Sequence, residues 1–366
     1  MSAFALRPTV STYFSNALHL ATDMPMEVPA LKTPAHLLYT LISENRKDAS
    51  KNEQSTSAIP LAGVYDALSA RILAQHGAPA LFLSGFGVSA SLLGVPDAGI
   101  TNLVEMEQVT RNICYTLQNN SGLKVPPLIV DGDTGYGGSP NMLRTISALA
   151  VAGAAAITIE DQAFPKKCTI AAGDKIRIVK RDEAVQRVRA ALGARDLYCE
   201  RVATPSNSAG CWIVARTDSR LAFGFEEVVE RCLRFEELGA EIVYAENLQS
   251  VDEYVKLRER LDHRTITMVA QVQETIAAER SVEKQQHVRK PLLNAKQSGE
   301  LGYDLALFGV SPLQCVIGSL MSTSDQFYKN NGIITDGKLP MADFDIVKRV
   351  VGFDILEDFD RDYPCA

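Results

Sequence analysis

Residues 128–135 have the sequence Leu-Ile-Val-Asp-Gly-Asp-Thr-Gly, and the rest of the chain can be organised around them. The apolar run from Leu128 to Val130 predicts a short buried strand. Asp131 and Asp133 follow two residues apart, so in an extended backbone their side chains point to the same side. Two carboxylates so close require a nearby cation or a shared proton. Oxygen ligands favour Mg²⁺, with Mn²⁺ as an alternative, whereas a plain Asp- and Gly-rich turn is the competing interpretation.

The composition is that of an acidic chain with enough apolar residues for a sizeable core. Of its 366 residues, 46% are hydrophobic. The net charge of -7 and the pI of about 5.4 argue against nucleic acid or an anionic membrane surface as a partner. No apolar run approaches the roughly 20 residues that a membrane helix requires.

The cysteines favour a reducing compartment, and we therefore expect a cytoplasmic protein. There are seven of them, and none forms a close CxxC pair, so neither a disulfide framework nor a zinc site is expected. Residues 1–33 form a separate N-terminal extension that is rich in Ser, Thr and Ala. This composition resembles a weak mitochondrial or plastid targeting segment, although a disordered or packing arm is the favoured interpretation.

Short apolar runs alternate with segments of helical spacing. The predicted strands cover residues 59–63, 80–83, 128–130, 155–159, 212–215, 241–245, 266–270 and 305–308. The predicted helices between them cover residues 66–76, 103–118, 140–152, 181–192, 225–238 and 250–261. This alternation indicates parallel pairing, and eight units predict an α/β fold, a closed (β/α)8 TIM barrel. The alternative, an open doubly wound sheet, normally has a glycine-rich phosphate turn after its first strand, which residues 63–67 do not provide.

The barrel domain is predicted to occupy residues 34–366, ending in C-terminal helices. It begins with a helix at 35–42 and a charged linker at 44–57. Two segments exceed ordinary connection lengths, 196–211 before the fifth strand and 275–291 after the seventh. We expect both to be surface excursions rather than separate domains.

Polar side chains follow every predicted strand. In strand order they are Tyr65 and Asp66, Ser84, Asp131 and Asp133, Glu160 and Asp161, Arg216 and Asp218, Glu246 and Asn247, Gln271 and Glu274, and Ser311. Barrel enzymes keep their chemistry at the C-terminal ends of the strands. The pattern therefore predicts one site at that end of the barrel.

Taken together, these motifs resemble the isocitrate lyase and phosphoenolpyruvate mutase superfamily. The similar segments are 63–71, 83–90, 93–97, 130–135, 159–162, 165–168 and 214–218. They occur in the family order, which makes the set specific although each motif alone would be weak. The Val-Asp-Gly-Asp core resembles the petal-death and dimethylmalate-lyase branch.

The resemblance implies a (β/α)8 barrel that is often a homotetramer, with the last helix exchanged between subunits. It also implies a Mg²⁺ held by Asp131 and Asp133, partly through water, with Asp97 and Glu160 around it. Considered alone, Asp97 is typical of a turn or helix cap, and Glu160 is typical of a polar strand end.

The loop after the fourth strand separates the chemistries of the superfamily. Carbon–carbon lyases carry Lys-Lys/Arg-Cys-Gly-His there, whereas phosphonate mutases carry Lys-Thr-Asn. This chain has Lys166-Lys167-Cys168, which resembles the lyase loop, followed by Thr-Ile in place of Gly-His. A second departure is Gln271, where the family usually has Asn.

The predicted activity is Mg²⁺-dependent cleavage of a carbon–carbon bond, by a lyase or hydrolase, in a 2-hydroxy or 2-oxo di- or tricarboxylate. The predicted carboxylate-binding set is Ser84, Gly85, Phe86, Gly87, Arg216 and Gln271. In it, the hydroxyl and backbone N–H groups act as oxyanion-hole donors do, and Arg216 binds bidentately. The alternatives are a plain strand-to-helix turn and an Arg216 that pairs with Glu246 or Asp218.

Cys168 is the predicted acid that protonates the carbanion left by cleavage, and Lys166 is expected to favour its thiolate form. An ordinary exposed thiol is the alternative for Cys168. Tyr65 is a candidate proton carrier near the metal, with a packing aromatic as an equal alternative. Glu246 completes the predicted catalytic set with Arg216.

Two other functions are alternatives to carbon–carbon bond cleavage. One is phosphonate chemistry, by a phosphoenolpyruvate mutase or phosphonopyruvate hydrolase, and Cys168 in place of Asn argues against it. The other is a barrel that binds ligand without catalysis, which the altered loop and Gln271 support weakly. Clustered carboxylates argue against that second alternative, since they destabilise a protein unless a metal is bound.

Overall fold

Eight parallel strands close into a barrel in the computed structural model of the chain. The structure describes residues 33–51, 57–118, 124–169, 175–202, 210–273 and 291–364. Each strand pairs with its sequence neighbours, and β8 returns to β1. The strands are β1 (Ile59–Val64), β2 (Ala80–Leu83), β3 (Leu128–Asp131), β4 (Ala156–Glu160), β5 (Trp212–Thr217), β6 (Ile242–Ala245), β7 (Ile266–Ala270) and β8 (Leu305–Phe308). The predicted (β/α)8 barrel is confirmed, and the doubly wound sheet is excluded.

Helices connect the strands and extend the barrel at both chain ends. They are α1 (Pro34–Lys51), α2 (Ala67–Gln75), α3 (Gly85–Val88), α4 (Leu103–Gln118), α5 (Ser139–Val151), α6 (Arg181–Val202), α7 (Arg220–Phe223), α8 (Phe225–Glu237), α9 (Val251–Arg260), α10 (Ala295–Glu300), α11 (Ser311–Lys329), α12 (Phe344–Val351) and α13 (Phe353–Asp362). Within the described ranges, no helix has the length and apolar character needed to cross a membrane.

Two predicted boundaries are wrong, both because strong helix formers continue a helix without an apolar stripe. The charged segment predicted as a linker at 44–57 forms the second half of α1, which runs to residue 51. Residues 196–202, assigned to a polar insertion, continue α6. The other predicted insertion, 275–291, and the extension 1–33 lie almost wholly outside the described residues, so both stay predictions.

Alternation along the strands separates two apolar layers. Phe82 and Ile129 point into the barrel, whereas their neighbours Leu81 and Val130 pack outward against the helices. This is the period of two expected for a strand buried on both faces. The barrel is therefore filled by side chains, and any cavity must lie at one of its ends.

Helix α1 covers the N-terminal end of the barrel. Its Leu38 and Ile42 are buried among the inward-facing residues of the strands. Arg46 fixes the helix from its polar side, since its guanidinium donates to both oxygens of Asp304 at 2.6 and 2.9 Å. With this end covered, the C-terminal strand ends are left for the site.

Candidate active site

A cavity that is partly open to solvent lies at the C-terminal ends of the strands. Most of the predicted site residues line it: Ser84, Phe86, Asp97, Asp131, Glu160, Lys166, Cys168, Arg216, Glu246 and Gln271. Four predicted residues do not line it: Tyr65, Gly85, Gly87 and Asp133. The predicted residues that line the cavity therefore come from six strand ends and from the loops that follow β2 and β4.

The Asp131 carboxylate is held by two backbone hydrogen bonds, one from its own turn and one from the turn after β2. One oxygen of Asp131 accepts the N–H of Asp133 at 3.1 Å, and the other accepts the N–H of Gly85 at 3.3 Å. A side chain at position 85 would crowd this contact, because an added Cβ would lie 3.0 Å from Asp131 Oδ2. Gly85 thus supports the metal-binding turn that the sequence predicts.

The buried ammonium group of Lys166 lies between two of the carboxylates. Its Nζ is 2.5 Å from Asp133 Oδ1 and 2.6 Å from Asp97 Oδ1. Burial alone would lower the pKa of Lys166, but the carboxylates of Asp133, Asp131 and Asp97 raise it well above its ordinary value. The structure thus places the charge of this lysine, which is predicted to favour the Cys168 thiolate, beside the carboxylates.

Glu160 completes what we call the acidic cluster, namely Asp97, Asp131, Asp133 and Glu160. Its side chain is buried, Oε2 lies 3.5 Å from Arg216 Nε, and Oε1 has no hydrogen-bond partner among the described residues. Burial raises the pKa of Glu160 well above its usual range, although Arg216 opposes the rise. Burial likewise raises the pKa of Asp133 to about 7, against the opposing charge of Lys166.

The acidic cluster is suited to a divalent cation held partly through water. As placed, no three His, Cys, Asp or Glu side chains in the described part of the chain are arranged to hold an ion directly. The donors are nevertheless all hard carboxylate oxygens, and Glu160 Oε1 is buried and unsatisfied. Lys166 supplies the positive charge that such a cluster needs.

Arg216 makes both of the ion pairs considered as alternatives to substrate binding. Its Nε donates to Asp218 Oδ1 at 2.9 Å, and Nη2 lies 3.7 Å from Glu246 Oε2. Its guanidinium also stacks on the ring of Tyr244, at 5.2 Å from the centroid, and Tyr244 donates its hydroxyl hydrogen bond to Glu246. Tyr244 was missed by the sequence analysis, although a residue two before Glu246 shares its face of β6.

The loop after β4 brings Cys168 to the cavity. Cys168 is half-buried, and its backbone N–H donates to the carbonyl of Asp97 at 3.0 Å. Since Lys166 pairs with the carboxylate of the same aspartate, two contacts fix this loop to the Asp97 segment. Thr169 is the last loop residue described before the gap at 170–174.

In the turn after β2, the backbone donors of Gly85 and Gly87 are already engaged. The Ser84 hydroxyl accepts the N–H of Gly87 at 3.2 Å and caps α3, while the N–H of Gly85 is bound to Asp131. Tyr65 packs behind this turn, because a Cβ at Gly87 would lie 2.8 Å from the Tyr65 Cβ. The geometry favours the packing alternative for Tyr65 and leaves Ser84 and Phe86 as the turn residues at the cavity.

Three polar strand-end residues serve the scaffold. Asp66 caps α2 by accepting the N–H of Ser69 at 2.6 Å. Asp161 pairs with the buried Arg231 at 2.8 Å. The Gln271 amide lines the cavity, but its oxygen accepts the Leu293 N–H at 2.7 Å, which ties β7 to the chain beyond the 274–290 gap.

Comparison with known proteins places the chain among enzymes of one family. The family model for phosphoenolpyruvate phosphomutase matches residues 51–286. The 2,3-dimethylmalate lyase of Eubacterium barkeri is 28% identical over 82% of this chain and 92% of its own length. The 2-methylisocitrate lyase of Aeropyrum pernix is 33% identical over 68% of each chain. The chloroplastic carboxyvinyl-carboxyphosphonate phosphorylmutase of Arabidopsis thaliana is 31% identical over 85% of this chain and 82% of its own length.

Solved structures agree with these relatives. A 2,3-dimethylmalate lyase structure superposes with a TM-score of 0.73 at 28% identity, covering 91% of this chain and 96% of the other. An oxaloacetate acetylhydrolase in complex with the inhibitor 3,3-difluorooxalacetate gives a TM-score of 0.72 at 25% identity, covering 90% and 96%.

Proposed function

Because the chain belongs to the phosphoenolpyruvate phosphomutase family, we propose that it is a Mg²⁺-dependent carbon–carbon lyase. Its substrate is a 2-hydroxy or 2-oxo di- or tricarboxylate, and its product is a 2-oxo acid or its equivalent. One observation carries the proposal: Cys168 and Arg216 line the same cavity as three members of the acidic cluster, Asp97, Asp131 and Glu160. Relatives named for cleavage of dimethylmalate and methylisocitrate support this substrate class.

Asp97, Asp131, Asp133 and Glu160 would hold the Mg²⁺, partly through water. When bound, the ion supplies Lewis-acid polarisation of the substrate carboxylate and 2-oxygen, which lowers the pKa of the hydroxyl. The unsatisfied Glu160 Oε1 and the all-oxygen donor set support this assignment. Mn²⁺ suits the same donors.

The protein side chains bind the substrate and move its proton. Arg216 binds a substrate carboxylate through its remaining N–H groups, while Asp218 and the Tyr244 ring keep its guanidinium in place. Cys168, which lines the cavity, gives its thiol proton to the carbon left electron-rich by cleavage, and Glu246, which also lines it, accepts the proton that leaves the 2-hydroxyl. The loop that carries Cys168 shields that carbon from water while the bond breaks.

Proton NMR on a panel of 2-hydroxy and 2-oxo dicarboxylates tests the proposal. With Mg²⁺ we expect release of a 2-oxo acid from at least one member, and loss of that signal with a chelator. Cys168→Ser should abolish turnover and retain substrate binding. Full turnover by Cys168→Ser would remove the assignment of the acid.

Two results would replace the proposal by the alternatives. Phosphorus NMR that shows turnover of phosphonopyruvate would establish phosphonate chemistry, for which the phosphorylmutase relative is the precedent. If Mg²⁺ raises the melting temperature but no acid or phosphonate is turned over, the barrel is a binding protein.

We also propose a homotetramer. Apolar side chains on the C-terminal helices are exposed, including Leu320 (59%) on α11, Phe344 (73%) on α12 and Leu356 (62%) on α13. Exposed apolar side chains on consecutive helices are typical of an interface between subunits, and a second copy that exchanges its last helix would cover them. The proposed partners of the protein are therefore a carboxylate substrate and further copies of the same chain.

Sedimentation velocity tests the assembly. We expect a species of four times the 39.8 kDa chain mass. A charge at Leu320 or Leu356 should dissociate it, whereas Val151→Glu, at an exposed apolar residue of α5, should leave it intact. A wild-type protein that sediments as one chain at micromolar concentration would contradict the proposal.

For location, we propose a reducing compartment with the cytoplasm favoured. Among the described residues, six cysteines are present and none is in a disulfide. The chloroplastic relative makes an organelle the alternative. A C-terminal fluorescent fusion, imaged with and without residues 1–33, separates the two: an organelle signal that needs those residues would overturn the cytoplasmic assignment.

A further inference from the structure

Gln162 has a fully buried amide between the Cys168 loop and Arg216. It lies two residues beyond Glu160 at the end of β4, is 1% exposed and lines the cavity. Its Oε1 accepts the backbone N–H of Lys167 at 2.9 Å. Its Nε2 donates to Asp218 Oδ2 at 2.8 Å. Both ends of one planar group are thus engaged, one by the loop and one by a buried carboxylate.

Asp218 connects Gln162 to Arg216, because its carboxylate accepts a hydrogen bond from each. Its side chain is inaccessible to solvent, and its two oxygens have different partners. Oδ2 accepts the hydrogen bond from Gln162 Nε2, and Oδ1 accepts one from Arg216 Nε at 2.9 Å. The backbone N–H of Asp218 donates to Asp161 at 2.8 Å, which holds the carboxylate's own position. A continuous set of hydrogen bonds therefore runs from the loop backbone to the guanidinium.

At the loop, this set of hydrogen bonds begins next to Cys168, the proposed proton donor. Lys167, whose N–H is bound by Gln162, is flanked by Lys166 and Cys168. Lys166 reaches the acidic cluster, and Cys168 faces the cavity. Gln162 therefore fixes the backbone between the cluster's ammonium and the thiol.

We propose that Gln162 is a positioning residue, whose amide sets the place of the Cys168 loop and the orientation of Arg216 together. This inference rests on the proposed function, since it takes Arg216 as the carboxylate ligand and Cys168 as the acid. Its consequence is that carboxylate binding and proton delivery are aligned by one side chain, whose hydrogen bonds go to the loop backbone and to Asp218.

The chemistry of the amide explains why glutamine is needed. Residue 162 must accept the N–H of Lys167 and donate to Asp218 through the same planar group, and a glutamine amide does both. A methionine has similar length and makes neither bond. A glutamate fits when protonated, because its O–H can donate to Asp218 while its carbonyl accepts from Lys167. When ionised, it sets one carboxylate against another.

Amide hydrogen exchange tests the loop end without any substrate. In Gln162→Met we expect the loop peptide around Lys167 to exchange at least about tenfold faster than in wild type. Asp218→Asn, which changes the middle of the set, should also speed that exchange, although residue 218 does not contact the loop backbone. Gln249→Met is the matched control, because it removes a side-chain amide that, among the described residues, donates to the Asn247 carbonyl after β6 and not to the loop.

Kinetics test the Arg216 end. We expect Gln162→Met to lower kcat/KM about 100-fold, as expected when reacting groups are displaced by about 1 Å, with both a higher KM and a lower kcat. Gln162→Glu should be nearly inactive at high pH and recover as the pH falls, a profile that a merely structural residue does not produce. Gln249→Met should keep wild-type kinetics.

The two readouts separate failure of this inference from failure of the proposed function. If no substrate is turned over but Gln162→Met and Asp218→Asn both speed loop exchange, the coupling stands and the proposed reaction fails. If loop exchange is unchanged in either variant, or if Gln162→Met and Gln249→Met behave alike, the coupling is wrong. Should Gln162→Met fail to fold, Asp218→Asn and Gln162→Glu at low pH decide the matter.

Discussion

Replacing Lys166 by methionine should destabilise the protein in a way that depends on pH and is reversed by Mg²⁺. The ammonium of Lys166 is buried and pairs with Asp133 at 2.5 Å and Asp97 at 2.6 Å. Methionine keeps most of the length of the side chain and removes the charge. Among the described residues, the close cation that remains for the acidic cluster is then Arg216, which lies beside Glu160.

The expected loss is about 3–5 kcal/mol of unfolding free energy at pH 8, the usual cost of removing one partner of a buried ion pair. The loss should shrink at lower pH, because burial already raises the pKa of Asp133 to about 7 and removing Lys166 raises it further. A carboxyl that holds its proton when folded but not when unfolded adds stability as the pH falls, by up to about 1.4 kcal/mol per unit.

Urea unfolding, followed by the fluorescence of the single tryptophan, Trp212, measures these differences. The matched control is Lys167→Met, since Lys167 carries the same charge one residue away but is exposed, and should change stability within about 0.5 kcal/mol. Mg²⁺ should stabilise Lys166→Met more than wild type, because the ion replaces the lost charge. Equal, small effects of the two substitutions would refute the assignment of Lys166 as the cluster's counter-charge.

Three further predictions follow from the structure. In the metal-free protein, stability should fall as the pH rises from about 4 to about 7, because folding raises the pKa of Asp133 from 3.8 to about 7. Asp133→Asn should flatten that part of a plot of melting temperature against pH. Arg216→Lys should lower kcat/KM about 100-fold in the NMR-based assay, because lysine cannot bind a carboxylate bidentately, and an unchanged value would contradict its role. Gly63→Ala should cost roughly 1–3 kcal/mol in urea unfolding, since its Cβ would lie 1.9 Å from the Gly309 oxygen, whereas Gly193→Ala, in open space on α6, should be neutral or stabilising.

The order of strands and helices could be predicted because each barrel strand is a short apolar run between amphipathic helices. Every predicted strand overlaps an observed one, and the resemblance to the superfamily is confirmed by the family match. The two failures, at the ends of α1 and α6, occur where helices are held by polar contacts. Arg46, for example, fixes α1 through Asp304, a residue far away in the sequence.

The site was predictable in its location and only partly in its contacts. Carboxyl ends of parallel strands meet at one rim, which is why Asp131, Glu160 and Arg216 were expected together. No local pattern shows which acid Lys166 will reach. The same holds for Gln271, whose oxygen is taken by Leu293 from beyond the 274–290 gap. Such pairings depend on how the loops fold over the barrel, which strand periodicity does not encode.

An anomalous diffraction map from crystals grown with Mn²⁺ and oxalate would show directly where the metal ion binds. We expect one strong peak among Asp97, Asp131, Asp133 and Glu160, with the oxalate lying in the cavity between that peak and Arg216. A map with no peak among these four carboxylates, from crystals in which oxalate occupies the cavity, would contradict the proposed metal site.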